Sequence, residues 1–240
     1  MKYFVPFVLI LIWSCQTKPK NDAIQESSTA ATLTPDQVAE GWRLLFDGQS
    51  LAGWRTFQNQ PSNSWRVEDG TLHCLPFDSA EQRADLVTID QYENFELQFD
   101  WKIGYQGNSG VMFRVSEEFD QPYLTGPEYQ LLDDVGYPGE SKDANKTGAN
   151  FDMQAPEART AKPQGEWNTS RLLVNGNHVE HWLNGIKVLS YDLGSEEWLQ
   201  QKANCKWKDV DSYGSNSIGH IDLQDHSMEA WFRNIMIRTL

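Results

Sequence analysis

The sequence predicts an all-β protein built as a sandwich of two antiparallel sheets. Three observations indicate this class: apolar residues recur with a period of two in several segments, turn sequences separate these segments, and only one short helix start is evident. Many short strands with frequent turns and no long helix are typical of a β-sandwich or barrel. No break in composition divides residues 33–240, so we expect a single domain there.

The first fifteen residues have the layout of a bacterial export signal. Lys2 supplies a basic start, and the apolar run that follows is too short to span a bilayer as a helix. The run Leu11-Ile12-Trp13-Ser14-Cys15 resembles a lipobox, in which the cysteine becomes lipidated. We therefore expect residues 1–15 to be a lipoprotein signal peptide, with Cys15 anchoring the protein in the bacterial cell envelope, periplasmic or surface-facing. The alternative is a core strand with an incidental cysteine.

Residues 16–32 are predicted to be a flexible tether. They are polar, rich in Ser, Thr, Ala, Lys and Asn, and they lack the apolar residues that a core requires. We expect contact with the membrane only through the lipid anchor. Cys74 and Cys205 could form a disulfide in an oxidising compartment or remain free thiols, and the sequence leaves both alternatives open.

A single helix start precedes the strands. Thr34-Pro35-Asp36-Gln37 combines an N-cap residue, a proline suited to the first helical position and an early acid, which predicts a helix of one or two turns. Beyond it the residues alternate between apolar and polar. The clearest strand covers 95–103, and its apolar positions are Phe95, Leu97, Phe99, Trp101 and Ile103.

Turn sequences mark how the strands connect. Asn175-Gly176 and Asn184-Gly185 lie between alternating segments, and such pairs are the strongest short-range signal for β-hairpins. The stretch 135–164 has little pattern and predicts a long loop, and long loops in compact domains are often functional.

The charge of the chain excludes some classes of partner. The formal net charge is −14, and a nucleic-acid partner requires the opposite sign to neutralise its phosphates. Anionic lipid headgroups are disfavoured for the same reason. A neutral ligand such as a sugar is not penalised, and ten Trp residues offer surfaces that suit either a core or sugar stacking.

A series of short motifs, in a fixed order over residues 33–240, resembles one enzyme family. The motifs are Gly41-Trp42-Arg43-Leu44-Leu45-Phe46-Asp47-Gly48, Leu51-Ala52-Gly53-Trp54, Gly107-Asn108-Ser109-Gly110, Glu128-Tyr129-Gln130-Leu131-Leu132-Asp133, Gly165-Glu166-Trp167-Asn168, His181-Trp182-Leu183-Asn184-Gly185, Leu223-Gln224-Asp225-His226 and Phe232-Arg233-Asn234-Ile235. Together they resemble the 3-keto-disaccharide hydrolase family. The resemblance implies a concanavalin A-like or laminin G-like jelly roll with a groove on one sheet. It also implies cleavage of an oligosaccharide or glycoside already oxidised to a ketone at C3.

Two positions depart from the family pattern, which commonly has glycine where this chain has Asp222 and Ser227. An additional carboxylate there would change the electrostatics beside Gln224-Asp225-His226. The sequence contains no nicotinamide-binding motif, so a partner oxidoreductase would have to make the ketone.

The implied substrate class suggests a reaction that needs three groups. A ketone at C3 acidifies the C2 proton, so a base can form an enolate that expels the C1 substituent, and water can then add to the enone. The enzyme therefore needs a base near C2, a donor or cation at the C3 oxygen and an acid for the leaving oxygen.

Glu128, Asp225 and His226 are the candidate catalytic residues. In Glu128-Tyr129-Gln130 the alternation places Glu128 and Gln130 on one strand face, which is the groove face if Tyr129 faces the core. Asp225-His226 lies at a strand end, and its histidine can serve as acid, base or metal ligand. The alternatives are a plain solvated surface for Glu128 and a simple turn for Asp225-His226.

Polar residues around these positions are candidates for substrate binding. Arg114, in an apolar strand, is expected to reach the surface that carries Glu128, with an ordinary ion pair as the alternative. Gly107-Asn108-Ser109-Gly110 predicts a tight turn whose side chains could hydrogen-bond a sugar hydroxyl. The full set of candidate binding residues is Asn108, Arg114, Gln130, Asp133 and Gln224.

No motif demands a cofactor, and a divalent cation at the enolate oxygen is the one candidate. Asp133-Asp134 and Asp222 with Gln224-Asp225 offer oxygen ligands, although their spacing does not require a metal. His178 and His181 lie on opposite faces of a predicted strand, which argues against joint ligation.

Two other functions compete with cleavage of a keto glycoside. A non-catalytic carbohydrate-binding module is the first, because this fold class hosts binding proteins as well as enzymes and a binder needs no acid–base pair. The second is an ordinary glycoside hydrolase with two carboxylates at a fixed separation. The E-x-D-x-x-E spacing associated with such enzymes on this fold is absent from the sequence.

Overall fold

The computed structural model describes residues 1–3, 31–139 and 142–240, and within these residues thirteen strands form two antiparallel sheets. The strands are β1 (Arg43–Leu44), β2 (Trp54–Thr56), β3 (Trp65–Glu68), β4 (Thr71–Cys74), β5 (Leu86–Thr88), β6 (Phe95–Ile103), β7 (Asn108–Val115), β8 (Glu128–Leu132), β9 (Asn168–Asn175), β10 (His178–Leu183), β11 (Ile186–Asp192), β12 (His220–Leu223) and β13 (Ala230–Thr239). The order in the larger sheet is β11-β10-β9-β6-β13-β4-β3, with β1 also paired to β13. The order in the smaller sheet is β2-β5-β12-β7-β8. The predicted all-β, two-sheet antiparallel fold is confirmed.

The inner faces of the two sheets form the main hydrophobic core. Phe95 of β6 meets Phe113 of β7 with 6.4 Å between ring centroids, and Phe99 meets Tyr129 of β8 at 5.9 Å. The alternation predicted for β6 is confirmed, because all five of its apolar residues are buried. Burial of each such side chain contributes about 1.5–3 kcal/mol to the free energy of folding. The apolar residues at every second position therefore hold the two sheets face to face.

Both predicted hairpins form at the Asn-Gly sequences. β9 pairs with β10 around Asn175-Gly176, and β10 pairs with β11 around Asn184-Gly185. Asn184 and Gly185 both have positive φ, 51° and 83°, which is the backbone that a two-residue hairpin turn requires.

The structure contains two α-helices, of which the sequence predicted one. The predicted helix is present as α1 (Pro35–Ala39), and Thr34 and Gln37 form a capping box at its start. A second helix, α2 (Glu196–Ala203), was not predicted. Its signal was present in Ser195, which caps the helix by accepting from the Trp198 N–H, and in the two acids of its first turn.

The loop predicted for 135–164 is confirmed for its described residues, which contain a single 3₁₀ turn at Asp143–Asn145 and no strand. The turn predicted at Gly107-Asn108-Ser109-Gly110 is wrong in position. It covers Gly104 to Gly107, and Asn108 to Gly110 already belong to β7. Asn108 is therefore held by a sheet ladder and not by a turn.

The N-terminal predictions fall almost entirely on residues 4–30, which lie outside the described residues, so the signal peptide, Cys15 and the tether stay predictions. Among the described residues no helix is long and apolar enough to cross a membrane. Cys74 and Cys205 are both free thiols, which decides between the two alternatives that the sequence left open.

Candidate active site

The outer face of the smaller sheet carries two carboxyl groups, on either side of a methionine in one cross-strand row. Glu128 of β8 pairs with Met112 of β7, and Met112 pairs with Asp222 of β12. Residues opposite one another on adjacent strands share a face, so these three side chains project from the same side of the sheet. Tyr129 and Leu131 face the core, as predicted, so Glu128 and Gln130 project outward.

A pocket of about 280 Å³ opens over this face, close to the lower end of the usual size range for ligand sites. Glu128, Gln130 and His226 line it together. The structure thus unites the two leading catalytic candidates, although they come from segments nearly a hundred residues apart in the chain. The complete lining is Asn108, Tyr123, Glu128, Gln130, Phe151, Lys206, Gln224 and His226.

Glu128 occupies a space that exists because residue 110 is glycine. A Cβ at Gly110 would lie 2.8 Å from Glu128 Cγ, closer than the contact distance of two carbon atoms. In the orientation of the Gln130 amide that gives both its oxygen and its nitrogen a hydrogen-bond partner, the nitrogen donates to Glu128 Oε1 over 2.8 Å. Burial raises the Glu128 pKa to about 8, with a further increase from the Asp85 charge and an opposing effect of Lys206. Glu128 is therefore a protonated acid at neutral pH.

His226 lies at the rim of the same pocket and is exposed to solvent on one side. The pocket wall desolvates its ring, which lowers the pKa; the Lys206 charge acts in the same direction and Asp225 opposes it. His226 is consequently a neutral base at neutral pH. Glu128 and His226 have pKa values shifted so that one holds a proton and the other accepts one, as expected of an acid–base pair.

Lys206 is a pocket residue that the sequence did not indicate. Its Nζ lies 4.0 Å from the ring centroid of Phe151 and 4.1 Å from that of Trp207. Burial lowers the pKa of this amine, and Glu128 across the pocket opposes that effect only in its ionised form. No periodic pattern surrounds Lys206, which follows α2 in an irregular segment, so sequence reasoning had no signal with which to single it out.

Gln224 and Asn108, both predicted to bind substrate, line the pocket beside Glu128. Gln224 is buried, and its Oε1 has no hydrogen-bond partner among the described residues. The Asn108 amide lies 3.2 Å from that of Gln130. These amides offer donors and acceptors of the kind that position sugar hydroxyls.

Two further carboxyl groups lie beside the pocket. Asp222 is fully buried, and its cross-strand neighbours are Val87 of β5 and Met112 of β7. Neither of its carboxyl oxygens has a hydrogen-bond partner among the described residues. Burial, together with the charges of Asp85 and Glu128, raises the Asp222 pKa well above its ordinary value. Burial also raises the Asp85 pKa, to about 7. Shifted carboxyl groups next to a pocket are typical of functional sites.

Asp225, a catalytic candidate, does not line the Glu128 pocket. It lines a neighbouring one, where it forms an ion pair with Arg83 over 2.7 Å. Its backbone N–H donates to Asp85 Oδ1 over 2.7 Å. Asp225 therefore pairs with Arg83 and fixes the backbone next to His226, and it does not enter the Glu128 pocket.

The expectation that Arg114 reaches the Glu128 surface is wrong. Arg114 is buried, and its Nη2 donates to the carbonyls of Glu93 and Gly176 over 3.0 and 2.7 Å. Its φ of 54° interrupts the strand where the pairing of β7 with β12 shifts register. Alternation fails at such an irregularity, so the side chain leaves the face that the pattern predicts.

Asp133 also differs from the expectation that it binds substrate. Its Oδ1 accepts the N–H of Gly136 and its Oδ2 that of Gln106, over 2.9 Å each, so it organises two loops and does not line the pocket. Asp134, the other residue of this candidate cation segment, accepts the Thr147 N–H over 3.0 Å. Among the described residues, no group of three or more His, Cys, Asp or Glu has the arrangement of a metal site.

The histidines of β10 are separated as predicted. His181 is fully buried and contacts the Gly148 carbonyl over 3.0 Å, whereas His178 lies at the surface with Asp192. Burial lowers the His181 pKa to about 4, so this side chain is a neutral core residue.

Comparison with known proteins gives consistent matches. The family model of the 3-keto-alpha-glucoside-1,2-lyase-like domain matches residues 41–238. A 3-keto-disaccharide hydrolase from Bacteroides thetaiotaomicron is 32% identical over 233 residues, covering 84% of this chain and 79% of that protein.

Crystal structures of two proposed glycosyl hydrolases from Parabacteroides distasonis also match. The first is 40% identical, with a TM-score of 0.82, and the match covers 88% of this chain and 99% of the other. The second is 27% identical, with a TM-score of 0.65, and covers 83% and 99%.

Proposed function

The chain belongs to the family of 3-keto-alpha-glucoside-1,2-lyase-like domains, and we propose that it cleaves the glycosidic bond of 3-keto glycosides by elimination followed by hydration. Family membership makes it a glycosidase-type enzyme of the sandwich fold. The keto substrate, the reaction sequence and the residue roles are the proposal. It includes a separate oxidoreductase that supplies the ketone.

One observation carries the proposal: Glu128, His226 and Lys206 line a single pocket, where burial raises the pKa of the carboxyl group and lowers the pKa values of the imidazole and the amine. These are the acid, the base and the donor that the elimination requires. A pocket that only binds a sugar would not need an acid with a raised pKa next to a histidine with a lowered pKa.

The roles follow from the protonation states. Neutral His226 removes the C2 proton, and the electron pair of the C–H bond forms the enolate. Lys206 stabilises the negative charge that develops at the C3 oxygen. The enolate then expels the C1 oxygen, which takes the proton of Glu128, and water adds to the enone in the reverse sense. Asn108, Gln130 and Gln224 hold the hydroxyl groups of the sugar.

The pH dependence of kcat/KM should be bell-shaped. Activity should fall as the pH rises through about 8, because Glu128 has a pKa of about 8 and loses the proton that it must donate. It should also fall on the acid side, below about 6.5, where His226 begins to take up a proton. Initial rates measured from pH 5 to pH 10 test this. A rate that kept rising through pH 9 would reverse the two roles.

The substrate assignment is tested by sugar release from the purified full chain. The substrates are a 3-keto disaccharide and its unoxidised parent, each with and without a chelator. We expect release from the keto sugar alone. Release from both would indicate an ordinary two-carboxylate hydrolase. Binding of either sugar without release would indicate a carbohydrate-binding module, and loss of release with chelator would add a metal ion to the mechanism.

A further inference from the structure

Lys206 differs in its contacts from lysines that pair with an oxygen acceptor. Lys102 also lies over aromatic rings, but Lys206 lines the pocket that holds Glu128. Lys187 Nζ pairs with Glu180 over 2.9 Å, and Lys202 Nζ donates to the Tyr213 carbonyl over 3.3 Å. Lys206 Nζ has no hydrogen-bond acceptor among the described residues, nor a carboxylate oxygen within the 4.0 Å of an ion pair. Its Nζ lies over the faces of aromatic rings.

The aromatic rings place this amine at the pocket wall. Phe151 and Trp207 each lie close to Nζ, and the Tyr123 ring centroid lies at 6.0 Å. The backbone N–H of Lys206 donates to Asp152 Oδ2 over 2.8 Å, which fixes the segment. Ring faces favour the ammonium form modestly. Partial burial of the amine acts in the opposite direction and lowers its pKa, although the residue as a whole is exposed.

The groups that face Lys206 come from several elements. Glu128 of β8 lies across the pocket, and Asp152 and Cys205 lie beside the lysine. His226 lines the same pocket from the segment after β12. A lysine with a lowered pKa that lines a pocket together with an acid and a base is suited to attack a carbonyl carbon.

We propose that Lys206 attacks the C3 ketone of the substrate and forms a Schiff base with it. This inference rests on the proposed function, because the ketone belongs to that substrate. It assigns to Lys206 a covalent role in place of a purely electrostatic one. The iminium carbon acidifies the C2 proton more strongly than the ketone does, so the same elimination proceeds through an enamine.

The formation of the iminium balances without an outside reagent. The ammonium first gives one proton to His226, and the amine lone pair forms the C–N bond while the carbonyl pair moves to oxygen. That oxygen takes a second proton from nitrogen and, with the proton returned by His226, leaves as water. The net change is ammonium plus ketone to iminium plus water.

The elimination also balances. His226 takes the C2 proton, and the C–H electron pair forms the C2–C3 double bond of the enamine. The nitrogen pair then restores the iminium, the C2–C3 pair moves to C1–C2, and the C1–O bond breaks with its electrons on the leaving oxygen. Glu128 protonates that oxygen. Water adds at C1 by the reverse steps, and a second water releases the product ketone and Lys206.

Reductive trapping distinguishes a Schiff base from a simple charge. The full chain is incubated with the 3-keto disaccharide and cyanoborohydride, which delivers hydride to an iminium carbon in preference to a ketone. We expect a stable sugar adduct on Lys206, located by peptide mass mapping. It should be absent with the unoxidised sugar and lost in Lys206→Ala and Lys206→Arg. The matched control Lys208→Ala removes a neighbouring exposed lysine and should keep the adduct.

Lys206→Arg keeps the positive charge but cannot form the iminium, so its kcat/KM should fall together with that of Lys206→Ala. Sugar release by the wild type without an adduct on Lys206 would overturn the Schiff base and leave the proposed function intact. If Lys206→Arg retained most of the activity, the Schiff base would likewise be overturned and the proposed function would stand. Equal labelling of several lysines would also overturn it. Absence of sugar release from the keto substrate would overturn the proposed function itself.

Discussion

Replacement of Glu128 by glutamine is expected to lower kcat/KM for a 3-keto disaccharide by about 10²–10⁴-fold. Glutamine has the shape of the protonated acid and can keep a hydrogen bond to Gln130, but it has no proton to give to the leaving oxygen. The loss should depend on the leaving group. A 3-keto aryl glycoside with an acidic phenol needs little protonation and should retain most of its rate in Glu128→Gln.

The matched control is Glu180→Gln, which changes the same residue type on β10, outside the pocket, where Glu180 pairs with the exposed Lys187. Its kcat/KM should equal that of the wild type with both substrates. Glu128→Gln should also lack the decline in activity above pH 8. Equal losses with the disaccharide and the aryl glycoside would show that Glu128 does not act on the leaving oxygen.

Replacement of Asp222 by asparagine is expected to remove part of the pH dependence of the free energy of unfolding. Asp222 has a raised pKa in the folded protein, so it stays protonated there, whereas the unfolded chain ionises it above about pH 4. Unfolding therefore releases a proton, and the contribution of Asp222 to the free energy of unfolding decreases as the pH rises above about 4. The decrease continues until the raised folded pKa is reached.

Asparagine is uncharged at every pH and lacks this decrease. The stability of Asp222→Asn relative to wild type should grow by up to about 1.4 kcal/mol for each pH unit between the unfolded and the folded pKa of Asp222. The slope is the diagnostic quantity, because an unpartnered amide adds an offset that does not depend on pH.

Urea unfolding of the two proteins at three pH values between 5.5 and 7.5 measures this slope. The control Asp209→Asn replaces an exposed aspartate and should keep a constant difference from wild type across the series. A constant difference for Asp222→Asn as well would mean that Asp222 is ionised in the folded protein and that its charge is compensated.

The position of Glu128 and Gln130 could be predicted because it depends on local geometry alone. Successive side chains of a strand point to opposite sheet faces, and the apolar Tyr129 and Leu131 mark the inner one. The same reasoning predicted the wrong sheet face for the Arg114 side chain, because the left-handed backbone of Arg114 breaks the alternation. Such a conformation in a non-glycine residue leaves no mark in the apolar pattern.

The sequence by itself determined the class of fold, the hairpins, the short first helix and the face of β8 that carries Glu128. These features are set by interactions between residues near one another in the chain, through the period of burial and the backbone preferences of turn residues. Tertiary structure alone decided which residues meet Glu128. Lys206, His226, Asp85 and Asp222 arrive from separate segments. Their pKa values depend on the water excluded when β5, β7, β8 and β12 form one sheet, and that burial exists only after the distant strands have paired.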